Sequence, residues 1–421
     1  MKVKEIDAKT FDEFALTQNN PSFTQSSAWA KVNNTRNSIS RLLGVYNQDE
    51  LVAVALIIEK KIAMYRSFYC PRGPLTNYKD KQLLKDVFLA LKDYAYQNNG
   101  LYFKFDPDLV IRKLNEDASV KETFEDYFSL IDFFKSLGFK HRGFTTRFAE
   151  SSAPRFTFVV DVNKSDEELL ESFHRTTNLV LKKNNPYKLE IKKGDKKDLE
   201  AFYKIKKETA VRKKNYLESY EYFEKFYDLL NEADMSDIFV VSANMKYIKE
   251  VYAQKVEELN QRKEKVATYL GKKKETQARE LQNYENKLNK ELKQINAIKD
   301  DVVPLSSIIT AKFKDTVWLM HGGNSDDLSF LNPNYELFFA IMKDSRDNGF
   351  KYVDFYGTEG KVDPHSDIYG IYLFKQRFSG DFVEYVGEFD IVTRKLLNAI
   401  ISKLLVVRRK LLIKKSIRDS K

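Results

Sequence analysis

NNGLYFKFD (98–106) and DNGFKYVDF (347–355) share one plan: an Asn-Gly helix stop, then an aromatic-rich strand carrying an aspartate near its end. A helical segment precedes each, at about 80–97 and 334–347. Asn-Gly suits a helix stop because both residues tolerate the left-handed backbone that ends a helix. Upstream of the first stretch, strands at 42–47 and 51–59 are joined by the polar turn Gln48-Asp49. Upstream of the second lie strands at 238–243, 306–313 and 316–321. FFKSLGF (133–139) and LFKQRFSG (373–380) form a second echo in the same order, and FVEYVGEF (382–389) reads as a last strand. Helix–glycine–strand junctions occur in any α/β protein, but two echoes in register point to a duplicated unit. The expected architecture is mixed α/β (α+β). A first domain covers 1–150 and a second covers 151–245 and 301–390, with segments of other character at 246–300 and 391–421.

Segment 246–300 lacks proline and is dominated by charge. Val256, Leu259, Val266 and Leu270, then Leu281, Leu288, Leu292 and Ile295, recur at helical spacing, and Gly271 interrupts them. This predicts an antiparallel helical hairpin with arms of about 25 residues, roughly 37 Å long. So narrow a stripe lets the arms bury only each other, so the hairpin projects. Its basic tip, Lys272-Lys273-Lys274, is a candidate RNA contact; a solvated spacer or dimer contact is the blander reading.

Net charge is +10, and residues 394–421 alone carry ten Lys/Arg against one Asp. Leu396, Leu397, Ile400, Ile401, Leu404, Leu405, Val407, Leu411 and Leu412 fall on one half of a helical wheel, interrupted by Arg408. Lys403, Arg409 and Lys410 lie opposite, and Lys414, Lys415 and Arg418 extend the basic end. Such a helix suits an anionic membrane surface, or packs its apolar face back onto the first domain. One cysteine, Cys70, forms no intramolecular disulfide, the start MKVKEIDAKTF is too charged for a secretory leader, and no apolar run spans a bilayer. The expectation is a cytoplasmic protein, peripheral at the inner face of the plasma membrane.

Familiar catalytic signatures are missing. Four scattered histidines give no metal-ligand spacing, and neither a GxSxG elbow nor a P-loop occurs. Cys70, between Tyr69 and Pro71, reads as a buried thiol. The chemistry is then left to positioning and charge stabilisation.

Five motifs in order carry a resemblance: FTQSSAWAKV (23–32), PRGPL (71–75), KFDPD (104–108), HGGNS (321–325) and GIYLFKQRFSGDFVEYVGEFD (370–390). Together they resemble the FemABX family of peptidoglycan interpeptide-bridge aminoacyltransferases, and segment 246–300 is similar to the coiled-coil arm of members acting on lipid-linked precursor. The resemblance implies two tandem GNAT-like acyltransferase domains with an inserted antiparallel hairpin. It implies that an amine on the stem peptide of a precursor, lipid II or UDP-MurNAc-pentapeptide, attacks the ester of an aminoacyl-tRNA. No cofactor beyond that co-substrate is implied, and a homodimer or a related family member is a further expected partner.

By the same resemblance Phe374 and Lys375 map to catalytic positions. Tyr222 in YEYFEKF and His321 map to positions that contact precursor phosphates, and Trp29, Lys31, Arg72 and Arg212 are further substrate-binding candidates. Two positions depart from the pattern: Asn33 stands for an expected lysine and Glu218 for an expected arginine. A Lys375 ammonium stabilising the developing oxyanion would be needed for rate, not for stability. From composition alone, Phe374-Lys375 reads as a core contact beside a surface ion pair. The alternatives are a CoA-dependent acetyltransferase (no Gly-rich pyrophosphate turn is visible), transfer to a protein N-terminus, and a non-catalytic tRNA or membrane-binding module.

Overall fold

The computed structural model describes residues 1–398 except 20, 36, 215 and 367. The chain divides into two compact units: Met1–Val159 with Phe355–Gln376 and the described residues from Gly380, and Val160–Asp354 with Arg377–Ser379. Residues 151–159, 355–376 and 380–390, expected in the second domain, thus cluster with the first.

The first unit holds a seven-stranded sheet in the order Lys2–Glu5, Ser38–Asn47, Glu50–Ile62, Tyr65–Arg72, Gly100–Pro107, Phe389–Val392, Lys140–His141. Its neighbours are antiparallel except Tyr65–Arg72 with Gly100–Pro107. A parallel pair needs a crossover, and the helix Lys81–Gln97 supplies it. Asp80 caps that helix through Leu83 N–H, and Asn99 ends it at φ +60°. Phe88, Phe103, Phe105, Phe134, Phe139 and Phe389 pack together under the sheet.

The second unit repeats the plan. Glu190–Gly194, Ile238–Asn244, Val302–Phe313 and Thr316–Asn324 are antiparallel neighbours, and Thr316–Asn324 pairs in parallel with Tyr352–Asp354. The crossover is the helix Pro333–Asp347, closed by Gly349 at φ +83°. In the first unit the second and third strands are joined by the tight turn Gln48-Asp49; in the second unit the hairpin occupies the same connection.

Its arms are the helices Met245–Ala267 and Gly271–Ala297. Leu259, Val266, Leu281, Leu288 and Ile295 are buried along the seam. Two expectations are corrected. Leu270, placed in the seam by its spacing, is 87% exposed, because the first helix ends at Ala267 and Leu270 lies in the turn. The arms also do not bury only each other: Met245, Ile248 and Tyr252 join Leu305, Leu328 and Leu331 in one apolar cluster. The base is core, and only the outer part projects.

Two readings near the C-terminus also change. FVEYVGEF is not one strand. Asp381–Tyr385 pairs with Phe156–Asp161 and Val110–Leu114, whereas Phe389–Val392 joins the seven-stranded sheet. Gly387, at φ +91°, turns the chain between them, and a Cβ there would lie 2.8 Å from Arg155 Nε. The helix expected over 391–421 does not start at 391, because this strand runs to Val392, and residues 399–421 lie outside the described residues. Asn398 N–H donates to the Arg394 carbonyl, and the Arg394 guanidinium stacks 4.2 Å over Tyr96. Arg408, Arg409, Lys410, Lys414 and Lys415 lie outside the described residues. Among the described residues no helix is long and apolar enough to cross a membrane.

Candidate functional site

FTQSSAWAKV folds into a cap and a short helix. Ser26 Oγ accepts from Trp29 N–H and starts the helix Ser27–Asn33. Gln25 is fully buried: its carboxamide oxygen accepts from Leu56 N–H at 2.9 Å, and its nitrogen donates to the Pro71 carbonyl at 2.6 Å. One side chain thus ties the helix start to a central strand and to the PRGPL loop.

In that loop Arg72 sits at φ +51° and is buried. Its N–H donates to Asp106 Oδ1 at 3.0 Å, and its guanidinium donates to the Pro154 carbonyl. The guanidinium also lies 4.1 Å from the Tyr385 ring and 3.9 Å from Asp108. Parallel pairing places Pro71 opposite Asp106 and Arg72 opposite Pro107, which brings the two motifs together. Burial pushes the Asp106 carboxyl up to about 6 against the opposing pull of the Arg72 charge. Arg72 and Asp108 both face a cleft of about 320 Å³, which Tyr78, Lys79 and Tyr127 also line.

Lys375 lies on the buried face of the helix Tyr369–Gln376. Its ammonium donates to three successive carbonyls, those of Phe355 at 2.7 Å, Tyr356 at 3.2 Å and Gly357 at 2.5 Å. The carbonyls belong to a turn with Tyr356 at φ +45° and Gly357 at φ +79°. An ammonium has three N–H donors, and three acceptors occupy them. Gly357 is required here, because a Cβ would lie 2.8 Å from Pro154 Cγ. The Phe23 ring lies 5.2 Å from Trp29 and 6.4 Å from Tyr356. Lys375 therefore holds this turn directly, Trp29 approaches it through Phe23, and Arg72 approaches it through Pro154. Phe374 is half-buried on the same helix, and Lys31 is exposed.

In the second unit the structure joins two residues that the sequence selected separately. His321, on Thr316–Asn324, meets the helix Tyr220–Asn231, with ring centroids 6.0 Å from Tyr222, 5.2 Å from Phe223 and 4.9 Å from Phe226. Burial, with the Lys206 charge adding to it, pushes the imidazole down to about 3. Its Nε2 is buried without a hydrogen-bond partner among the described residues. Lys206 donates to the Gly322 carbonyl at 3.0 Å, and a Cβ on Gly323 would lie 3.1 Å from Lys206 Cα. The second glycine of HGGNS therefore lets a helix approach closely. Arg212 is exposed and paired with Asp326, apart from the His321 rings.

A neutral buried histidine has a stability signature. Its folded-state pKa is depressed, so below about 6.5 the unfolded chain takes up a proton that the folded chain refuses. The stabilisation present at neutral pH is lost as pH falls from 6.5 toward 3. Between pH 7 and 5 the parent is expected to lose about 2 kcal/mol more than His321→Phe. Urea midpoints at both pH values measure it; equal losses would mean that the ring is hydrated.

A model of the FemAB family matches residues 6–404. The chain belongs to the FemAB family. Lipid II:glycine glycyltransferase of Staphylococcus aureus (strain USA300) is 27% identical over 422 residues, covering 96% of both chains. The Staphylococcus epidermidis protein of that name (strain ATCC 35984) is 26% identical over 420 residues, covering 96% of this chain and 95% of its own. The crystal structure of FemX superposes with a TM-score of 0.75 at 24% identity, over 95% of this chain and all of FemX. The fold is thus the mixed α/β, two-sheet architecture of FemX.

Within this FemAB chain, Asp106 and Lys206 were not singled out in sequence. Asp106 lies within the KFDPD motif, but nothing local marks the first carboxylate as the buried one. Lys206 has no signal at all, since it is one of five Lys/Arg on the helix Leu199–Lys213.

Proposed function

We propose that this protein is an aminoacyltransferase of interpeptide-bridge synthesis. It adds an amino acid from aminoacyl-tRNA to the stem-peptide amine of lipid II, without a further cofactor, at an anionic membrane surface. The observation that carries the reading is the end-to-end match to lipid II:glycine glycyltransferases, which leaves no large part of either chain unpaired.

In the proposed step the neutral amine attacks the ester carbonyl and a C–N bond forms. The C–O bond to the terminal ribose breaks, and the tRNA leaves as an alcohol, taking a proton. The amine must shed a proton on the way, and Asp106 is the proposed acceptor. It is reached through one water from the cleft that Arg72 and Asp108 line, because its own carboxylate is buried behind that cleft. A carboxylate raised to about 6 is ionised at neutral pH yet far more basic than a solvated one. Arg72 holds it in place through its own backbone N–H. Lys375 is proposed as a positioning residue, since its donors already hold the 355–357 turn. Holding both substrates in one orientation supplies much of the remaining acceleration. Tyr222 and His321 form the proposed acceptor-binding wall.

The donor is tested by incubating the protein with radiolabelled glycyl-tRNA and lipid II, with and without ribonuclease and with CoA omitted. Label should enter lipid II without CoA and disappear from the product after digestion. Transfer that survives complete RNA digestion would refute the tRNA donor; label in a protein instead would refute the acceptor.

A further inference from the structure

We propose that the hairpin tip, residues 269–274, is a lipid-contact element that seats Leu270 in the headgroup layer of an anionic bilayer. The seam explains every other large aliphatic residue of the arms' outer part: Leu259, Val266, Leu281 and Leu288 are buried, and Val256 packs against them partly buried. Leu270 alone is turned out, 87% exposed, at the apex. A single exposed leucine is ordinary on a protein surface; its surroundings here are not. Residues 265–274 contain four lysines and no acidic side chain. Lys272, Lys273 and Lys274 are exposed, and the Lys273 ammonium lies 4.6 Å over the Tyr269 ring. Gly271 turns the chain at φ +60° with open space around it.

This is the arrangement an interface takes up: an aliphatic side chain at the apex, an amphipathic aromatic beside it, and lysines whose stems lie along apolar surface while their charges reach phosphate. RNA phosphates would satisfy the lysines equally well but leave the apex leucine in water. A bilayer accommodates both. The arm also gives reach. From Tyr252, where the hairpin leaves the core, the first helix runs about 22 Å to Ala267. That exceeds the screening length of about 8 Å at physiological salt, so the tip meets a surface on its own charge.

The test uses the full chain. Cys70 is its sole cysteine and is buried, so Leu270→Cys directs a thiol-reactive, polarity-sensitive fluorophore to the tip. Lys287→Cys, on an exposed mid-arm position, is the control. With vesicles of mixed phosphatidylglycerol and phosphatidylcholine, the label at 270 should brighten several-fold and be quenched by brominated acyl chains. The label at 287 should not respond. Adding Lys272→Gln, Lys273→Gln and Lys274→Gln to the labelled chain should weaken the response by about ten- to a hundredfold at low salt. A label at 270 that stays dark, whether or not the protein sediments with the vesicles, overturns the proposal. So does an equal response to pure phosphatidylcholine, or a response to tRNA and none to vesicles.

Discussion

Lys375→Met is expected to lose on the order of 4 kcal/mol of folding stability, with turnover falling along with it. The methionine keeps the stem's bulk but leaves the carbonyls of Phe355, Tyr356 and Gly357 without the ammonium that gathers them. Each lost charged hydrogen bond costs about 1.5–3 kcal/mol in isolation, and water entry recovers part. This reverses the expectation from sequence, which kept stability and removed only rate. A lysine whose donors already serve the backbone must surrender one of them to reach an oxyanion. Lys375→Arg should not rescue, because a planar fork cannot direct three N–H groups at three converging carbonyls. Urea unfolding gives the stability, and single-turnover transfer below the variant's melting range gives the chemistry. A midpoint within about 1 kcal/mol of the parent, with turnover unchanged, would make Lys375 an ordinary buried lysine with a solvated head.

Asp106→Asn is expected to slow transfer by about 10²–10⁴-fold while leaving the fold at least as stable at neutral pH. The sign follows from the raised carboxyl. A group whose folded pKa is about 6, against an ordinary 3.8, contributes stability below 3.8 that is lost as pH rises through 6. The parent therefore carries a penalty of roughly 3 kcal/mol at neutral pH that asparagine escapes. The substituted carboxamide keeps an oxygen that can accept from Arg72 N–H. Rate and stability should thus move in opposite directions, which separates a lost proton acceptor from a damaged fold. The pH profile gives a second readout. The parent's rate should bend near pH 6, and the variant's should not. An asparagine variant with near-parental rate, or one that keeps the bend, would move the proton acceptor elsewhere.

Sequence by itself determined what depends on near neighbours. Asp80 and Asn98-Asn99-Gly100 bound a helix because a side-chain cap and a left-handed stop act within one turn. The hairpin seam was legible because helical spacing places Leu259 and Val266, and Leu281 and Leu288, on one stripe. The duplication was legible because each helix–glycine–strand junction is local, and the ordered motifs pointed to the family. Tertiary structure alone decided what depends on groups far apart in the chain. That Asp106 rather than Asp108 is the buried carboxylate follows from the parallel register with Pro71 and Arg72. That FVEYVGEF serves two sheets follows from strands more than 200 residues upstream competing for its backbone. Lys375 shows the difference in one residue. Its charge and helix are written locally, but its role is fixed by three carbonyls, 18–20 positions earlier, that converge only once the left-handed turn at Tyr356-Gly357 is folded.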